Sequence, residues 1–195
     1  MKIGVLALQG DFREHRDVLE ELDQTTSLIK RPGDLEGLDG LIIPGGESTT
    51  ISKLMRKWEL FRKIEEEVES GLTVFGTCAG LILLAQELTD GPRTLELMDI
   101  TVERNAYGRQ VESFEAELNP NGNPNGDGEL GEGPLQGVFI RAPQVTRVGE
   151  DVDVLARHRD QPVLLRQDGI LGATFHPELT DSMAVHEYFL SMTRE

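Results

Sequence analysis

The sequence predicts an α/β fold with three layers, in which a doubly wound, mostly parallel β-sheet carries helices on both faces. In the first half of the chain, short apolar runs alternate with amphipathic segments of helical spacing. Consecutive parallel strands need a long crossover, usually a helix, so this alternation is typical of a parallel sheet. After residue 97 the pattern becomes one of successive strands and turns. This change predicts antiparallel strands added to the sheet in the second half.

Four strands and three helices are predicted in the first half. The first strand is almost wholly apolar, as expected of a central strand covered on both faces. The predicted strands are 2–8, 26–30, 41–43 and 73–77. Apolar side chains recur at helical spacing in three further segments, the second of which Ser48 can cap. The predicted helices are 12–23, 48–68 and 79–88.

Six further strands and a closing helix are predicted in the second half. The predicted strands are 100–103, 113–118, 138–141, 152–156, 163–167 and 170–175, and the helix is 182–193. Residues 119–134 consist almost entirely of Gly, Pro, Asn and acidic residues. Such a segment cannot pack a core and predicts an exposed loop insertion. The whole chain, 1–195, is predicted to form a single domain.

The composition argues against several classes of protein. A net charge of −16 and a pI near 4.6 are opposite to what a nucleic-acid binder needs. No apolar run approaches the roughly 20 residues of a membrane helix, and the first residues lack a signal-peptide pattern, so we expect a cytoplasmic location. Scarce lysine beside abundant Asp and Glu favours a high-salt cytoplasm, with an ordinary acidic protein as the alternative.

The one cysteine, Cys78, excludes an internal disulfide and a cysteine-rich metal site. It lies in Gly-Thr-Cys-Ala-Gly, between a predicted strand and a predicted helix. This is the pattern of a nucleophile elbow, whose flanking glycines permit a sharp turn that exposes the nucleophile. The helix N-terminus favours the thiolate, and the backbone N–H of Ala79 is placed to donate to an oxyanion. The alternative is a buried cysteine between two packing glycines.

A thiolate nucleophile needs a base, and the base needs an orienting group. Of the four histidines, only His176 follows a strand-like run and has a carboxylate two residues on, in His176-Pro177-Glu178. Functional side chains gather at the carboxyl ends of strands in α/β sheets, and Cys78 lies at such an end too. We therefore predict that His176 is the base and Glu178 its orienting group. Without the elbow, His-Pro-Glu would indicate only a helix start.

A third loop, Pro-Gly-Gly-Glu-Ser at 44–48, follows the predicted strand 41–43. Adjacent glycines allow backbone N–H groups to approach a ligand closely, as in an oxyanion hole or an anion nest. The same residues are ordinary turn chemistry elsewhere. Their place at the carboxyl end of a strand favours a functional loop.

Together these three segments resemble the class I (triad) glutamine amidotransferases. Longer segments resemble one branch of that class, the PdxT family of glutaminase subunits of pyridoxal 5′-phosphate synthase. These are Ala-Leu-Gln-Gly-Asp at 7–11 with Glu14-His15, Pro-Gly-Gly-Glu-Ser-Thr at 44–49, Arg-Asn-Ala-Tyr-Gly-Arg-Gln at 104–110, Phe-Ile-Arg-Ala-Pro at 139–143 and His-Pro-Glu-Leu at 176–179. The resemblance covers nearly the whole chain. Its main departure is 119–134, which is longer than the family needs.

The resemblance implies that Cys78, His176 and Glu178 hydrolyse L-glutamine, with no metal and no cofactor. It implies backbone oxyanion donors at Gly46 and Ala79. The implied glutamine contacts are Gly46, Glu47, Ser48, Arg104, Ile140 and Arg141. The charges of Glu47 and of the arginines suit the ammonium and the carboxylate of an α-amino acid. The implied partner is the (β/α)8-barrel synthase subunit, in a large hetero-oligomer, and its docking reorganises the region around Gln9.

Two alternatives belong to other classes of function. One is a glutaminase of the same class that serves another pathway, such as histidine biosynthesis. The long segments at 7–11 and 104–110 argue against it. The other is a non-enzymatic protein of the DJ-1 type, in which a cysteine elbow senses oxidants or binds proteins. Such a protein has no need of the Pro-Gly-Gly-Glu-Ser loop or of a downstream His-Pro-Glu.

Overall fold

The computed structural model describes residues 1–104, 113–120, 130 and 135–193. The helices are α1 (Phe12–Glu21), α2 (Ser48–Lys57), α3 (Leu60–Glu69), α4 (Ala79–Leu84) and α5 (Ala184–Met192). The strands are β1 (Lys2–Leu6), β2 (Thr25–Ile29), β3 (Gly40–Ile43), β4 (Thr73–Thr77), β5 (Ala85–Leu88), β6 (Met98–Glu103), β7 (Ser113–Pro120), β8 (Leu135–Ile140), β9 (Gln144–Val148), β10 (Asp153–His158), β11 (Gln161–Gln167) and β12 (Ile170–Ala173). Short 3₁₀ turns span Pro32–Leu35 and Pro177–Leu179.

Nine of the described strands form one mixed sheet in the order β2-β1-β3-β4-β12-β11-β10-β7-β8. The pairings from β2 to β12 are all parallel, and the pairings from β12 to β8 are all antiparallel. The parallel part comes from the first half of the chain together with β12, which returns to pair with β4. The predicted α/β sheet with antiparallel strands added by the second half is therefore confirmed.

The two faces of the sheet bury different sets of side chains, which gives the fold its three layers. Neighbouring residues of a strand point to opposite faces, so Ile42 packs on one side of β3 while Leu41 and Ile43 pack on the other. The Ile42 face is covered by α1 and α5, and the opposite face by α2, α3 and α4. Among the described residues, no helix is both long and apolar enough to cross a membrane.

The predicted single helix over 48–68 is wrong, because the structure has two helices there. Helix α2 ends at Lys57 and α3 begins at Leu60, and between them Glu59 has a left-handed φ of 58°. The apolar side chains of both helices enter the same core cluster. A break that keeps both apolar faces on one core leaves the hydrophobic period nearly unchanged, so the periodicity did not reveal the turn.

The predicted helix over 79–88 is also too long. Helix α4 ends at Leu84, and Ala85–Leu88 forms β5, which pairs in parallel with β6. Strands β5, β6 and β9 make a second, three-stranded sheet. Neither this sheet nor strand β9 was predicted. The residues Leu81 to Leu84 are all fully or nearly fully buried, and a short apolar run of that kind does not distinguish a buried helix from a strand.

The segment predicted as an exposed loop, 119–134, is described at only a few positions. Asn119 and Pro120 continue β7 and pair with Arg157 and Ala156 of β10. Leu130 is partly buried against the core on the α1 face of the sheet. The remainder of the predicted loop lies outside the described residues.

Candidate active site

The loops that follow four neighbouring parallel strands meet at one edge of the sheet. These strands are β1, β3, β4 and β12, and their carboxyl ends lie side by side because the strands are parallel. A cavity of about 350 Å³ opens there. It is lined by Gln9, Asp11, Gly46, Glu47, Ser48, Cys78, Ala79, Ile82, Arg104, Ile140, Arg141 and His176. Every site residue predicted from the sequence except Glu178 therefore lines this single cavity.

A larger cavity, of about 740 Å³, lies at the opposite edge of the sheet, where β4 and β12 begin. Its lining residues include three aspartates and one arginine but neither cysteine nor histidine. None of the residues predicted to be functional touches it. The smaller cavity, which contains Cys78, is therefore the candidate active site.

Cys78 lies in the sharp turn between β4 and α4 that the sequence predicts. Its backbone has φ 47° and ψ −101°, and its N–H donates to Ala173 O at 2.8 Å. The flanking glycines are needed for space: a Cβ on Gly76 would lie 2.6 Å from Leu84 Cδ1, and a Cβ on Gly80 would lie 1.9 Å from Ile43 O. The elbow is thus held against the neighbouring strand by backbone contacts that leave no room for a side chain.

Replacing Gly80 with alanine is expected to destabilise the fold and to displace Cys78. A backbone carbonyl at 1.9 Å cannot rotate away as a side chain can, so β3 and the elbow must separate. We expect a loss of about 2–4 kcal/mol in the free energy of unfolding. The matched control is Gly33→Ala, because a Cβ there meets nothing within 4 Å. Chemical denaturation of both variants measures the difference, and equal stability of the two would contradict this account of the elbow.

His176 and Glu178 are held behind the cysteine by the turn that follows β12. The N–H of His176 donates to Val138 O at 2.8 Å, which ties the histidine to β8. His176 Nδ1 lies 2.8 Å from Glu178 Oε1, and the ring lines the same cavity as Cys78. Both His176 and Glu178 are buried, at 3% and 6% exposure. The three side chains form a row, with Cys78 and the ring of His176 at the cavity and the carboxylate hydrogen-bonded to the ring.

The row favours a protonated imidazole. Burial disfavours the charge, but hydrogen bonds to Cys78 and Glu178 and the charges of these groups outweigh burial and raise the pKa of His176 to about 10. Burial raises the pKa of Glu178, while its hydrogen bond to His176 opposes that change. His176 therefore holds a proton at neutral pH, next to the sulfur. A group placed in this way can serve as a general acid in acyl transfer.

The glycine loop is fixed from both sides at Gly45. Its N–H donates to Thr77 Oγ1 at 3.1 Å, and its carbonyl accepts from Asp11 N–H at 3.2 Å. A trans peptide is planar and its C=O and N–H point in opposite directions, so the Gly46 N–H points away from Asp11. Gly46 has φ 146°, a value that suits glycine. The orientation of the Gly45–Gly46 peptide thus depends on the contact that Asp11, in the loop after β1, makes with the Gly45 carbonyl.

Glu47, which was predicted to contact glutamine, also caps helix α2. Its carboxylate caps α2 by accepting from Thr49 N–H at 3.0 Å and from Thr50 N–H at 2.8 Å. Hydrogen bonds from Thr50 and Thr49 lower its pKa to about 2, so it is ionised at neutral pH. Arg104 Nη2 lies 3.7 Å away, on the cavity wall. The carboxylate and the guanidinium therefore stand together, with opposite charges, at one side of the cavity.

Asp11 and Thr77 were not predicted to belong to the site, but both contact residues of it. Asp11 Oδ2 lies 3.5 Å from His176 Nδ1, and Thr77 joins Gly45 to a buried histidine, His15. The position of Asp11 directly after the first strand was the available signal, since carboxyl ends of strands carry functional groups.

Among the described residues, Asp11, His176 and Glu178 are also the one group whose potential metal ligands lie within 4.8 Å of one another.

Known glutamine amidotransferases are similar to this chain in sequence and in structure. The sequence matches the SNO glutamine amidotransferase family over residues 5–195. Pyridoxal 5′-phosphate synthase subunit PdxT of Desulforamulus reducens is 51% identical, and that of Thermosipho africanus is 48% identical, each over 196 residues that cover 100% of both chains. A crystal structure of a glutamine amidotransferase has a TM-score of 0.90 and 48% identity, covering 99% of each chain. The chain belongs to the SNO glutamine amidotransferase family.

Proposed function

We propose that this chain is the glutaminase subunit of pyridoxal 5′-phosphate synthase, which hydrolyses L-glutamine and supplies ammonia for vitamin B6 biosynthesis. The observation that carries the proposal is the row of Cys78, His176 and Glu178 at a cavity that also collects the glycine loop. Sequence identities of 48% and 51% to PdxT subunits, over the full length of both chains, support this pathway over a pathway served by another glutaminase.

The proposed chemistry proceeds through a thioester. The Cys78 thiolate attacks the carboxamide carbon of glutamine and forms a tetrahedral oxyanion. As the C–N bond breaks, the proton of His176 passes to the departing nitrogen, which leaves as ammonia. His176, now neutral, takes a proton from water, and the hydroxide attacks the thioester to release glutamate and Cys78. Glu178 holds the ring in one orientation throughout, through the 2.8 Å contact to Nδ1.

Backbone N–H groups stabilise the oxyanion in this proposal. The N–H of Ala79 lies at the start of α4, directly after the nucleophile. The N–H of Gly46 belongs to the peptide whose carbonyl is bound by Asp11, and Gly46 lines the cavity. Donors of this kind act in the transition state, where the negative charge on the oxygen develops.

The substrate contacts surround the nucleophile. Arg104 supplies a cation for the α-carboxylate of glutamine, and Glu47 supplies an anion for its ammonium. Since the carboxylate of Glu47 already caps α2, it is rigidly placed to do so. Cys78 Sγ lies 3.8 Å from Ile140 O, and this proximity supports a contact between Ile140 and the bound glutamine. The remaining proposed contacts, Ser48, Gly46 and Arg141, complete the cavity wall.

The proposed partner is the (β/α)8-barrel synthase subunit, which consumes the ammonia. The direct test is glutamine turnover by this chain mixed with that synthase, and separately with the synthase of histidine biosynthesis. We expect turnover with the first and none above background with the second. Turnover with the histidine synthase alone would replace the proposed pathway. No turnover with either would leave the DJ-1-like alternative, in which Cys78 is oxidised by peroxide rather than acylated.

A further inference from the structure

A buried polar cluster behind the triad has no part in the chemistry described so far. It consists of His15, Thr77 and His186, each with 0% exposure. His15 Nδ1 lies 2.9 Å from His186 Nε2, and His15 Nε2 lies 3.0 Å from Thr77 Oγ1. Burial of polar groups costs free energy that apolar side chains would not cost. The cluster therefore calls for an explanation other than packing.

One ring of this cluster touches both parts of the proposed machinery. His15 Nε2 lies 3.4 Å from Glu178 Oε2, the carboxylate oxygen that faces away from His176. Within the described part of the chain, that oxygen is buried and forms no hydrogen bond. On the other side, the hydroxyl of Thr77 accepts from the N–H of Gly45. His15 is thus connected to the triad directly and to the glycine loop through one hydroxyl.

The charge of Glu178 determines which nitrogen of His15 carries the proton. Burial and the neighbouring imidazoles of His186 and His176 lower the pKa of His15 well below its usual value, and burial lowers that of His186 to about 4. Both rings are therefore neutral at pH 7, with one N–H and one lone pair each. A lone pair on Nε2 would oppose the carboxylate oxygen, whereas an N–H there donates towards it. His15 then accepts at Nδ1 from the N–H of His186.

We propose that His15 is a positioning residue of the glutaminase site: its Nε2–H is shared between Thr77 Oγ1 at 3.0 Å and Glu178 Oε2 at 3.4 Å, which ties the ring to the glycine loop and supports the carboxylate. This inference rests on the proposed function of the Cys78 site. A separation of 3.4 Å is long for a hydrogen bond, and catalytic hydrogen bonds are often long before substrate binds. His15 lies in the first turn of α1, next to Asp11, whose N–H holds the Gly45 carbonyl. A movement of this turn would change the triad and the glycine loop together.

Two amide substitutions test the roles of the two ring nitrogens of His15 independently. The amide of His15→Gln reaches the place of Nε2, so it can still donate to Glu178. The amide of His15→Asn reaches only the place of Nδ1 and leaves Glu178 without a donor. With the synthase present, we expect His15→Asn to lower kcat roughly 10- to 100-fold with little change in KM, as loss of an orienting group does. We expect His15→Gln to keep most of the parent's kcat.

The pH dependence provides a readout that a packing role would not change. The titratable groups that face Glu178 are His176, His15 and Asp11. Loss of a donor to the carboxylate raises the pKa of Glu178, because the ionised form loses support. The rate at which iodoacetamide alkylates Cys78 in the isolated chain is measured against pH, and we call its decline at low pH the acid limb. In His15→Asn the acid limb should therefore move to higher pH by about half a unit to one unit. In His15→Gln it should stay near that of the parent.

Thr77 offers a second pair if a histidine variant does not fold. Thr77→Ser keeps the hydroxyl between His15 and Gly45, and Thr77→Val removes it at nearly constant shape. We expect kcat to fall in Thr77→Val and to remain close to the parent in Thr77→Ser. Leu19→Val, on the same buried face of α1, is the control for packing. It should lower the melting temperature without moving the acid limb.

The outcomes separate this inference from the proposed function. A parent chain that does not turn over glutamine with the synthase refutes the proposed function, while the alkylation profiles still test His15. Equal kcat and equal acid limbs in the parent, His15→Asn and His15→Gln would overturn the positioning role. Equal losses in both amide variants, in proportion to their melting temperatures, would overturn it as well, because packing would then account for them.

Discussion

Glutamine hydrolysis is expected to fall at least about 10⁴-fold when Cys78 is replaced by alanine, because no other group can form the thioester. Cys78 is the one cysteine in the chain. It lines the cavity together with His176. Alanine keeps the shape of the elbow and removes only the sulfur, so folding and synthase binding should persist. Turnover is measured in the complex, at saturating glutamine.

Active-site labelling provides the control for this result. A chloroketone or diazo ketone analogue of glutamine should attach one equivalent to the parent chain and none to Cys78→Ala. Cys78→Ser retains a hydroxyl, which His176 activates poorly, so it should remain nearly inactive. Substantial glutamine turnover by the alanine variant, with its melting temperature unchanged, would show that the nucleophile lies elsewhere and would end the thioester mechanism.

The sequence predicted the elements correctly where the hydrophobic pattern of a segment matches its burial in the sheet. Apolar strands such as β1 and β4 are buried on both faces, and their sequences show it. The errors arose where one apolar run serves two elements. Leu81 to Leu84 in α4 and Ala85 in β5 are all buried, and the transition between them depends on the pairing of β5 with β6, in which Ala85 lies opposite Met98. Such pairing is a tertiary effect that local sequence does not contain.

The site was predictable for residues at strand ends and less so for those that support them. Cys78, His176 and the glycine loop lie in short motifs whose chemistry is specific. His15 lies in a helix among charged residues, and its sequence neighbours do not indicate that it is fully buried beside Glu178. The prediction that Ser48 caps α2 is wrong, because the cap is Glu47, whose carboxylate accepts from the N–H groups of Thr49 and Thr50. The contact between His15 and Glu178 arises from the packing of segments that are distant in sequence.

Docking of the synthase is expected to raise glutamine turnover, and Gln9 is expected to be required for most of that increase. Gln9 Oε1 accepts from Glu47 N–H at 2.7 Å, so the loop after β1 holds the glycine loop. The adjacent Gly45 carbonyl is bound by Asp11 N–H at 3.2 Å, the long end of the range for a hydrogen bond. Among the described residues, this is the one hydrogen bond recorded for the Gly45 carbonyl, and flipping the Gly45–Gly46 peptide breaks it and turns the Gly46 N–H to the other side. Glycine permits both orientations at little steric cost.

A flipped peptide presents a carbonyl where the oxyanion needs a donor, and one lost donor costs roughly a hundredfold or more in rate. Since the isolated chain holds this peptide through the long 3.2 Å contact with Asp11, we expect the flip to keep its turnover slow. Saturating synthase should give a large increase, and the increase should be much smaller in Gln9→Ala. Gln9→Glu is the matched control, since it keeps the oxygen that accepts from Glu47 N–H and should lose less than Gln9→Ala. Turnover with and without synthase is measured for all three proteins. The same rate in every condition would mean that the oxyanion hole is assembled before docking, and partner-dependent activation through Gln9 would be excluded.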